Sequence, residues 1–436
     1  MSTELYREPA RDIEVLRQAD VVVCGGGPAG VSAAIAAART GAKTVLLEGH
    51  GALGGIWTSG LLSWIIDAGG KPGIMKEITD RLDKKGARRQ SLGEDFTYDP
   101  EAMKLLLEEM CCEAGVIVQL HTRVCSAAVD ESGRLALALT ESKSGRQAWA
   151  ASCFIDATGD GDLAAQAGCG FALGRPGSGE TQPLSLMALV SGILPEDVAP
   201  YTMDGLSEEP KRRLLEQMGQ AGVFPSYSGP SLFHIRDGLF ALMANHMYGA
   251  KATDAMQLSQ ATMLARRELH RIIDGLRAAG GVWSGLHIVS TAAQIGIREG
   301  RRIAGRYTVD EHDLQAGRAH EDGVCRVRYG IDIHSTNPED GKGFGDDGKS
   351  SKPYDIPFRA LIAADVDGLL LAGRCISGDF VAHSSYRVTG NAVAMGQAAG
   401  AAAALCASRR LLPQQLAWPD IRATLSRLEE TQWNKP

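Results

Sequence analysis

This sequence predicts an α/β protein whose parallel-sheet domain is assembled from both ends of the chain, and three observations carry that prediction. A short apolar run rich in β-branched residues, Asp20 to Cys24, leads straight into Gly25-Gly26-Gly27-Pro28-Ala29-Gly30. A small-residue helical stretch from Pro28 to Thr40 follows, ended by Gly41, and a second apolar run, Lys43 to Glu48, completes a βαβ unit in about 30 residues. Near the other end, another buried-strand run, Gly368 to Ala372, precedes a helical stretch from Gly390 to Ala407.

The remaining elements follow in order. Residues 1–19 read as an extended lead-in arm. From Asp99 a helix carries Met103, Leu106, Leu107 and Met110. Three strand-like pieces come next, Val116–Val129, Leu135–Thr140 and Ala148–Asp156, with turn residues at Asp130–Gly133 and Ser144–Gly145. They predict an antiparallel meander that returns to the parallel sheet at Ile155. Over 171–354 longer loops alternate with helices, one from about Asp254 to Leu276 with apolar positions Met256, Met263, Leu264, Ile272, Ile273 and Leu276. Asn337–Lys352 is a polar, glycine-rich loop, either a surface excursion or an active-site lid. The expected division is 1–170 and 355–436 for one discontinuous domain and 171–354 for an inserted α+β domain.

Composition narrows the function classes. A net charge of −7 and a pI near 5.9 give no electrostatic footprint for nucleic acid or anionic membrane. The basic pairs Lys84-Lys85 and Arg88-Arg89 are short and flanked by acids, as on a solvated surface. The N-terminus carries Glu4, Arg7, Glu8, Arg11 and Asp12 with no apolar core, so no secretory signal is expected. Ala392–Ala407 is too short to span a bilayer and reads as a buried helix. Nine scattered cysteines without a C-x-x-C pair argue against a disulfide framework, a zinc site and a dithiol redox centre, and point to the reducing cytoplasm. The oligomeric state and the electron acceptor are left open.

Gly25-x-Gly27-x-x-Gly30 has its glycines where a strand must turn into a helix. The first permits the turn, the second lets backbone touch a pyrophosphate, and the third lets the helix lie close to the sheet. Free N–H groups and the helix dipole then favour phosphate charge. Glu48 ends the second strand 18 residues after Gly30. A carboxylate there accepts from a ribose hydroxyl and repels a 2′-phosphate, which disfavours NADP. Gly54-Gly55-Ile56-Trp57-Thr58 forms a second tight turn, unnecessary to a protein holding only NAD. Gly373-Arg374 and Gly390-Asn391-Ala392, at a strand end and a helix start, suit the electron-rich edge of a reduced flavin. Together these features point to FAD.

On these segments, with Phe154–Ala165, Arg298–Thr308, Ile331–His334, Ile356–Leu361, Leu369–Ser377 and Arg387–Gly400, the chain resembles the FAD-dependent oxidoreductases of the glutathione-reductase-type fold. Within them it is similar to a broad subgroup laid out like fumarate reductase flavoproteins. The resemblance implies a Rossmann-like FAD-binding domain with an antiparallel β-meander and an inserted substrate domain. It implies that Gly25, Gly27, Pro28, Ala29 and Gly30 hold the pyrophosphate and that Glu48 binds the adenosine ribose. The Val124 backbone would border the adenine, and Ala157, Thr158, Gly159 and Asp160 would end the returning strand beside the cofactor. Gly373 and Arg374 would lie by the ribityl-phosphate region, with Arg387, Gly390, Asn391 and Ala392 near the flavin's pyrimidine edge. Gly54, Gly55 and Thr58 stand where fumarate reductases attach FAD through a histidine, so the FAD is expected to be non-covalent. With no second glycine fingerprint between 150 and 370, a built-in NAD(P)H domain is not expected.

Three residues are candidates for chemistry or substrate contact. His383 lies between Arg374 and Arg387, His334 closes Ile331-Asp332-Ile333-His334, and Arg298 sits in a cluster with Arg301 and Arg302. Each has a plainer reading as an orienting or packing histidine, or as an arginine paired with Glu299. Cys375 reads as a small buried thiol, and Asp160 and Asp162 as turn and cap residues rather than a metal pair. The function expected is hydride transfer between a small-molecule substrate and flavin N5. The alternatives are a non-redox flavin-binding protein and a thiazole-synthase-like relative that holds NAD.

Overall fold

The computed structural model describes residues 5–16, 19–90, 94–205, 207–337, 339 and 343–430. A five-stranded parallel sheet has the strand order Leu369–Leu371, Cys153–Asp156, Val21–Cys24, Thr44–Leu47, Ile117–Gln119. Every described strand of it except the Ile117–Gln119 edge is wholly buried, which is why these runs are apolar without alternation. The chain's far end therefore supplies one edge of a sheet begun at residue 21.

The cradle helix, Pro28–Arg39, starts with Pro at its first position, where the missing N–H costs nothing. It packs along the closing helix, Thr389–Arg409, which is buried over nearly its whole length. The approach is close because both surfaces are small. A Cβ added at Gly396 would stand 2.1 Å from the Ala29 carbonyl oxygen, and one at Gly400 2.1 Å from that of Ala33.

Two expected strands each prove to be two. Val116–Val129 divides into Ile117–Gln119, in the parallel sheet, and Arg123–Val129, in the meander, with His121 at positive φ between them. Ala148–Asp156 divides into Gly145–Ala150, in the meander, and Cys153–Asp156, in the parallel sheet. The meander is completed by Leu135–Ser142, and the lead-in arm contributes Glu14–Leu16 as a strand parallel to Gly145–Ala150. Residues 1–4 and 17–18 of that arm lie outside the described residues.

The middle of the chain is richer in strand than its loops suggested. Ser231–Arg236, Leu239–Met243, Ala188–Ser191 and His287–Thr291 form a four-stranded antiparallel sheet around a second apolar core, which also takes in Leu61 and Trp64. Residues of 303–363, among them Val309, Leu314, Tyr354 and Ile356, pack instead with the core of the parallel sheet. Helix Ala255–Ala279 buries Ala261, Ala265, Leu269, Ile272, Ile273 and Leu276. Met256, Met263 and Leu264, expected on its inner face, are 68%, 61% and 48% exposed, because alanines fill the inward positions of its first half. In the polar loop, Phe344–Gly345 pairs with Ile333–His334, while residues 338 and 340–342 lie outside the described residues. No helix among the described residues is long and apolar enough to cross a membrane.

Candidate functional site

Strand Val21–Cys24 ends against Gly25, whose φ of +97° and tight fit under Ala157 leave no room for a side chain; its N–H donates to the Leu47 carbonyl at 2.7 Å. Gly30 serves packing too, since a Cβ there would lie 1.7 Å from the Gly25 carbonyl oxygen. Gly27 is different. A Cβ built on it meets nothing within 4 Å and points into open space at the start of the cradle helix. That space opens into a cavity of about 510 Å³.

The cavity has two ends. Its outer end is lined by Gly25, Gly27, Pro28, Ala29, Glu48, His50, Thr122 and Val124. Glu48 is fixed there by two backbone donors, Gly26 N–H to Oε2 at 2.6 Å and His50 N–H to Oε1 at 2.7 Å, so its remaining lone pairs are aimed rather than free to swing. Along the middle lie Gly55, Ala157, Thr158, Gly159, Asp160, Ala372, Gly373, Arg374 and Ala392. Arg374 donates to Asp160 at 2.8 Å, while Arg301 donates to the Asp160 carbonyl and the Asp162 carboxylate at 2.9 Å each. Those acids are thus occupied by arginines. Burial raises the Asp160 carboxyl despite Arg374.

The inner end is built from remote segments: Ile56, Leu62, Trp64, Ile66, Met243, Leu258, Ile295 and Ile297 make apolar walls, and Arg298, Asp332, His334 and Arg387 supply the polar groups. Arg298 donates to the Pro183 carbonyl and the Ser185 hydroxyl, both at 2.8 Å, and among the described residues it forms no ion pair. Its neighbour Glu299 is taken by Arg302. Burial, helped by Arg387, brings the Arg298 guanidinium down to about 10, so it still carries its charge at neutral pH. Arg387 donates to the Asp332 carbonyl at 2.7 Å and stands 3.3 Å from its carboxylate. Burial opposes ionisation of Asp332, but His334, Arg387 and Arg298 outweigh it and hold the carboxyl well below the usual range. Burial and Arg298 pull His334 down to about 3 against the opposing influence of Asp332, so its ring is neutral.

Several candidate residues stand elsewhere. His383 is not in the cavity wall: helix Phe380–Tyr386 turns it inward, fully buried and edge-on to Tyr386, where burial with Arg302, Arg387 and Arg374 keeps it neutral. Gly390 lies under the backbone of Ile66 and Asp67, where a Cβ would come within 2.2 Å. Asn391 is buried against Cys325, whose thiol donates to it at 3.4 Å. Thr58 caps the Leu53 carbonyl, and Gly54, at φ +102°, packs on the Thr58 side chain. Gly30, Gly54, Thr58, Gly390 and Asn391 thus shape the cavity from behind. Cys375 is buried, its thiol donating to the Asp156 carbonyl at 3.3 Å, and burial raises it. Sequence reasoning missed Asp332 as a site residue, although it shares the extended Ile331–His334 segment at a two-residue spacing from His334. It also missed His246 and Trp64, for which no local pattern exists.

The residues present fit FAD. Gly27 leaves phosphate-sized space at a helix N-terminus, Glu48 presents a fixed carboxylate at the same end, and the cavity continues past Arg374 to a second, closing helix N-terminus at Val388 and Thr389. The profile of the FAD dependent oxidoreductase family matches residues 20–425. The chain belongs to that family. This flavoprotein is an enzyme with an FAD-dependent redox function. Among solved structures it is similar to a geranylgeranyl bacteriochlorophyll reductase-like protein from Thermoplasma acidophilum, at 14% identity and a TM-score of 0.48, over 96% of this chain and 83% of that one. It is also similar to p-nitrophenol 4-monooxygenase from Pseudomonas putida, at 12% identity and a TM-score of 0.49, over 96% and 91%. A triple mutant of the flavin-dependent brominase Bmp2 matches at 12% and 0.48, over 94% and 84%.

Proposed function

We propose that this oxidoreductase acts on a small organic anion with an apolar body, bound at the inner end of the cavity. When bound, FAD supplies a two-electron centre that exchanges hydride with such a substrate at N5. The observation that carries the reading is Arg298: a charged, half-buried guanidinium in the cavity wall, free of ion pairs among the described residues and set beside apolar surface. A carboxylate on the substrate would give Arg298 the partner it lacks, in a setting where burial strengthens the pairing. Arg387, already committed to Asp332, adds positive potential that stabilises negative charge developing on the substrate. Ile56, Leu62, Trp64 and Met243 exclude water from the remainder.

The cofactor residues in this reading are those of the outer and middle cavity, with the FAD held non-covalently. The nine free thiols fit a reducing, cytoplasmic setting. Denaturing the purified protein should release a yellow flavin; a chromophore that stays on the chain would overturn non-covalent attachment. Anaerobic mixing of the holoenzyme with matched acids, amides and alcohols should bleach the flavin with acids alone. Bleaching by the neutral members at equal rates, or by no acid at any concentration, would overturn the anionic substrate class.

A further inference from the structure

The inner end of the cavity is joined to the surface by a row of polar side chains. His334, in the wall, has Nε2 3.4 Å from an Asp332 carboxylate oxygen and Nδ1 3.1 Å from Nε2 of His246. His246 is itself buried, stacked on Tyr227 with ring centroids 4.0 Å apart, and its Nδ1 lies 3.3 Å from the Tyr248 hydroxyl. The hydroxyl of half-buried Tyr248 donates to the carbonyl of exposed Ser226 at 3.2 Å. Both imidazoles therefore use both ring nitrogens along one line.

With Asp332 ionised and both rings neutral, one proton order serves the line from Asp332 to Tyr248. Ionised Asp332 can only accept, so His334 carries its proton on Nε2. Its Nδ1 then accepts from His246 Nε2–H, and His246 Nδ1 accepts from the Tyr248 O–H when that hydroxyl turns from the Ser226 carbonyl. We propose that Tyr248, His246 and His334 conduct protons between solvent and the reacting end of the cavity, with His334 Nε2 exchanging the proton with substrate. The inference rests on the inner end being the reaction site.

The step balances without electrons. Substrate takes the proton from His334 Nε2 while His334 Nδ1 takes one from His246 Nε2. His246 Nδ1 takes the Tyr248 proton, and water restores it. One proton enters, both rings stay neutral, and both exchange tautomers; release runs the same sequence backwards. Neutrality matters here. Arg298 and Arg387 face both rings, Asp332 faces His334, and Tyr227 lies on His246, so an imidazolium would add a third buried positive charge. Burial first, then Arg298, pushes both histidines far from protonation, and a relay that never creates the cation avoids that cost.

The test needs neither substrate nor turnover. In the FAD-loaded protein labelled with 15N-histidine, long-range proton–nitrogen spectra report the tautomer of each of the ten rings. Signals lost in His246→Asn and His334→Asn assign the pair. We expect neutral Nε2–H forms at both, from about pH 5 to pH 8, and water exchange of the His334 ring proton slowed roughly tenfold or more by Tyr248→Phe. An imidazolium or an Nδ1–H form at either ring overturns the proposal, as does exchange unchanged in Tyr248→Phe. If His246→Asn fails to fold, Tyr248→Phe decides alone, and its signals are assigned from His334→Asn. FAD content is read separately from the released chromophore, so failure here leaves the cofactor and substrate reading untouched.

Discussion

The two ends of one cavity are made in opposite ways. The outer end is backbone: Gly25, Gly27 and the cradle helix, within a stretch that folds on its neighbours in sequence. The inner end is side chains carried on separate segments, with His334 meeting His246 across 88 positions and Arg387 meeting Arg298 across 89. The outer end asks for absent side chains and tolerates few changes. The inner end asks for charge and apolar shape, and in the proposed reading these can be altered without disturbing the cofactor. That reading makes binding and chemistry separable.

The sharpest way to break this contrast is Gly27→Val. The fold has room for the new side chain, so the apo-protein's melting temperature should hold while FAD content falls at least about tenfold, as expected when phosphate-facing backbone is covered. Loss of FAD accompanied by an equal loss of apo-protein stability would show that Gly27 serves packing as Gly30 does. Next comes Arg298→Gln, which should leave FAD content unchanged and slow flavin reduction by an acid substrate by about 10²–10³-fold. A variant that also sheds FAD would merge the two ends.

Acidification separates them more gently. His334 falls to about 3 in the folded chain, against about 6.5 when unfolded, so the unfolded state takes up the proton first. Its stabilising contribution is complete above about pH 6.5 and drains away as pH falls towards 3, at a slope approaching about 1.4 kcal/mol per pH unit. His246 shifts in the same direction. The apo-protein's melting temperature should therefore drop more steeply between pH 6 and pH 4 than that of His334→Asn; parallel curves would mean the ring is charged in the fold. The smallest effect belongs to Met263→Gln on the exposed face of helix Ala255–Ala279, within about 0.5 kcal/mol by chemical denaturation and without change in FAD content.

The same contrast governs what the sequence could reveal. Gly25, Gly27, Gly30 and Glu48 are legible because a backbone cradle imposes a spacing on its own strand, turn and helix. The parallel sheet was legible for a related reason, since strands buried on both faces are apolar throughout. The antiparallel sheet of the middle region escaped notice because its short strands are interrupted by bulges at Leu189/Val190 and His234/Arg236. His383 falls between two arginines in sequence, which suggests a place at the flavin, but a helix turn rotates it into the core. Tertiary meetings such as His246 with His334 leave no periodic trace, so residue type alone pointed to His334, and nothing pointed to its partner.

The glycine faces that bring the closing helix onto the cradle helix also set a timetable. Gly396 and Gly400 emerge from the ribosome almost four hundred residues after Val21, and until they do, the backs of Ala29 and Ala33 have nothing to lie against. The nascent chain carries an apolar, half-finished cradle until those residues appear. A product ending before residue 396 is therefore expected to leave the backs of Ala29 and Ala33 uncovered and to hold no FAD, which its released chromophore would show.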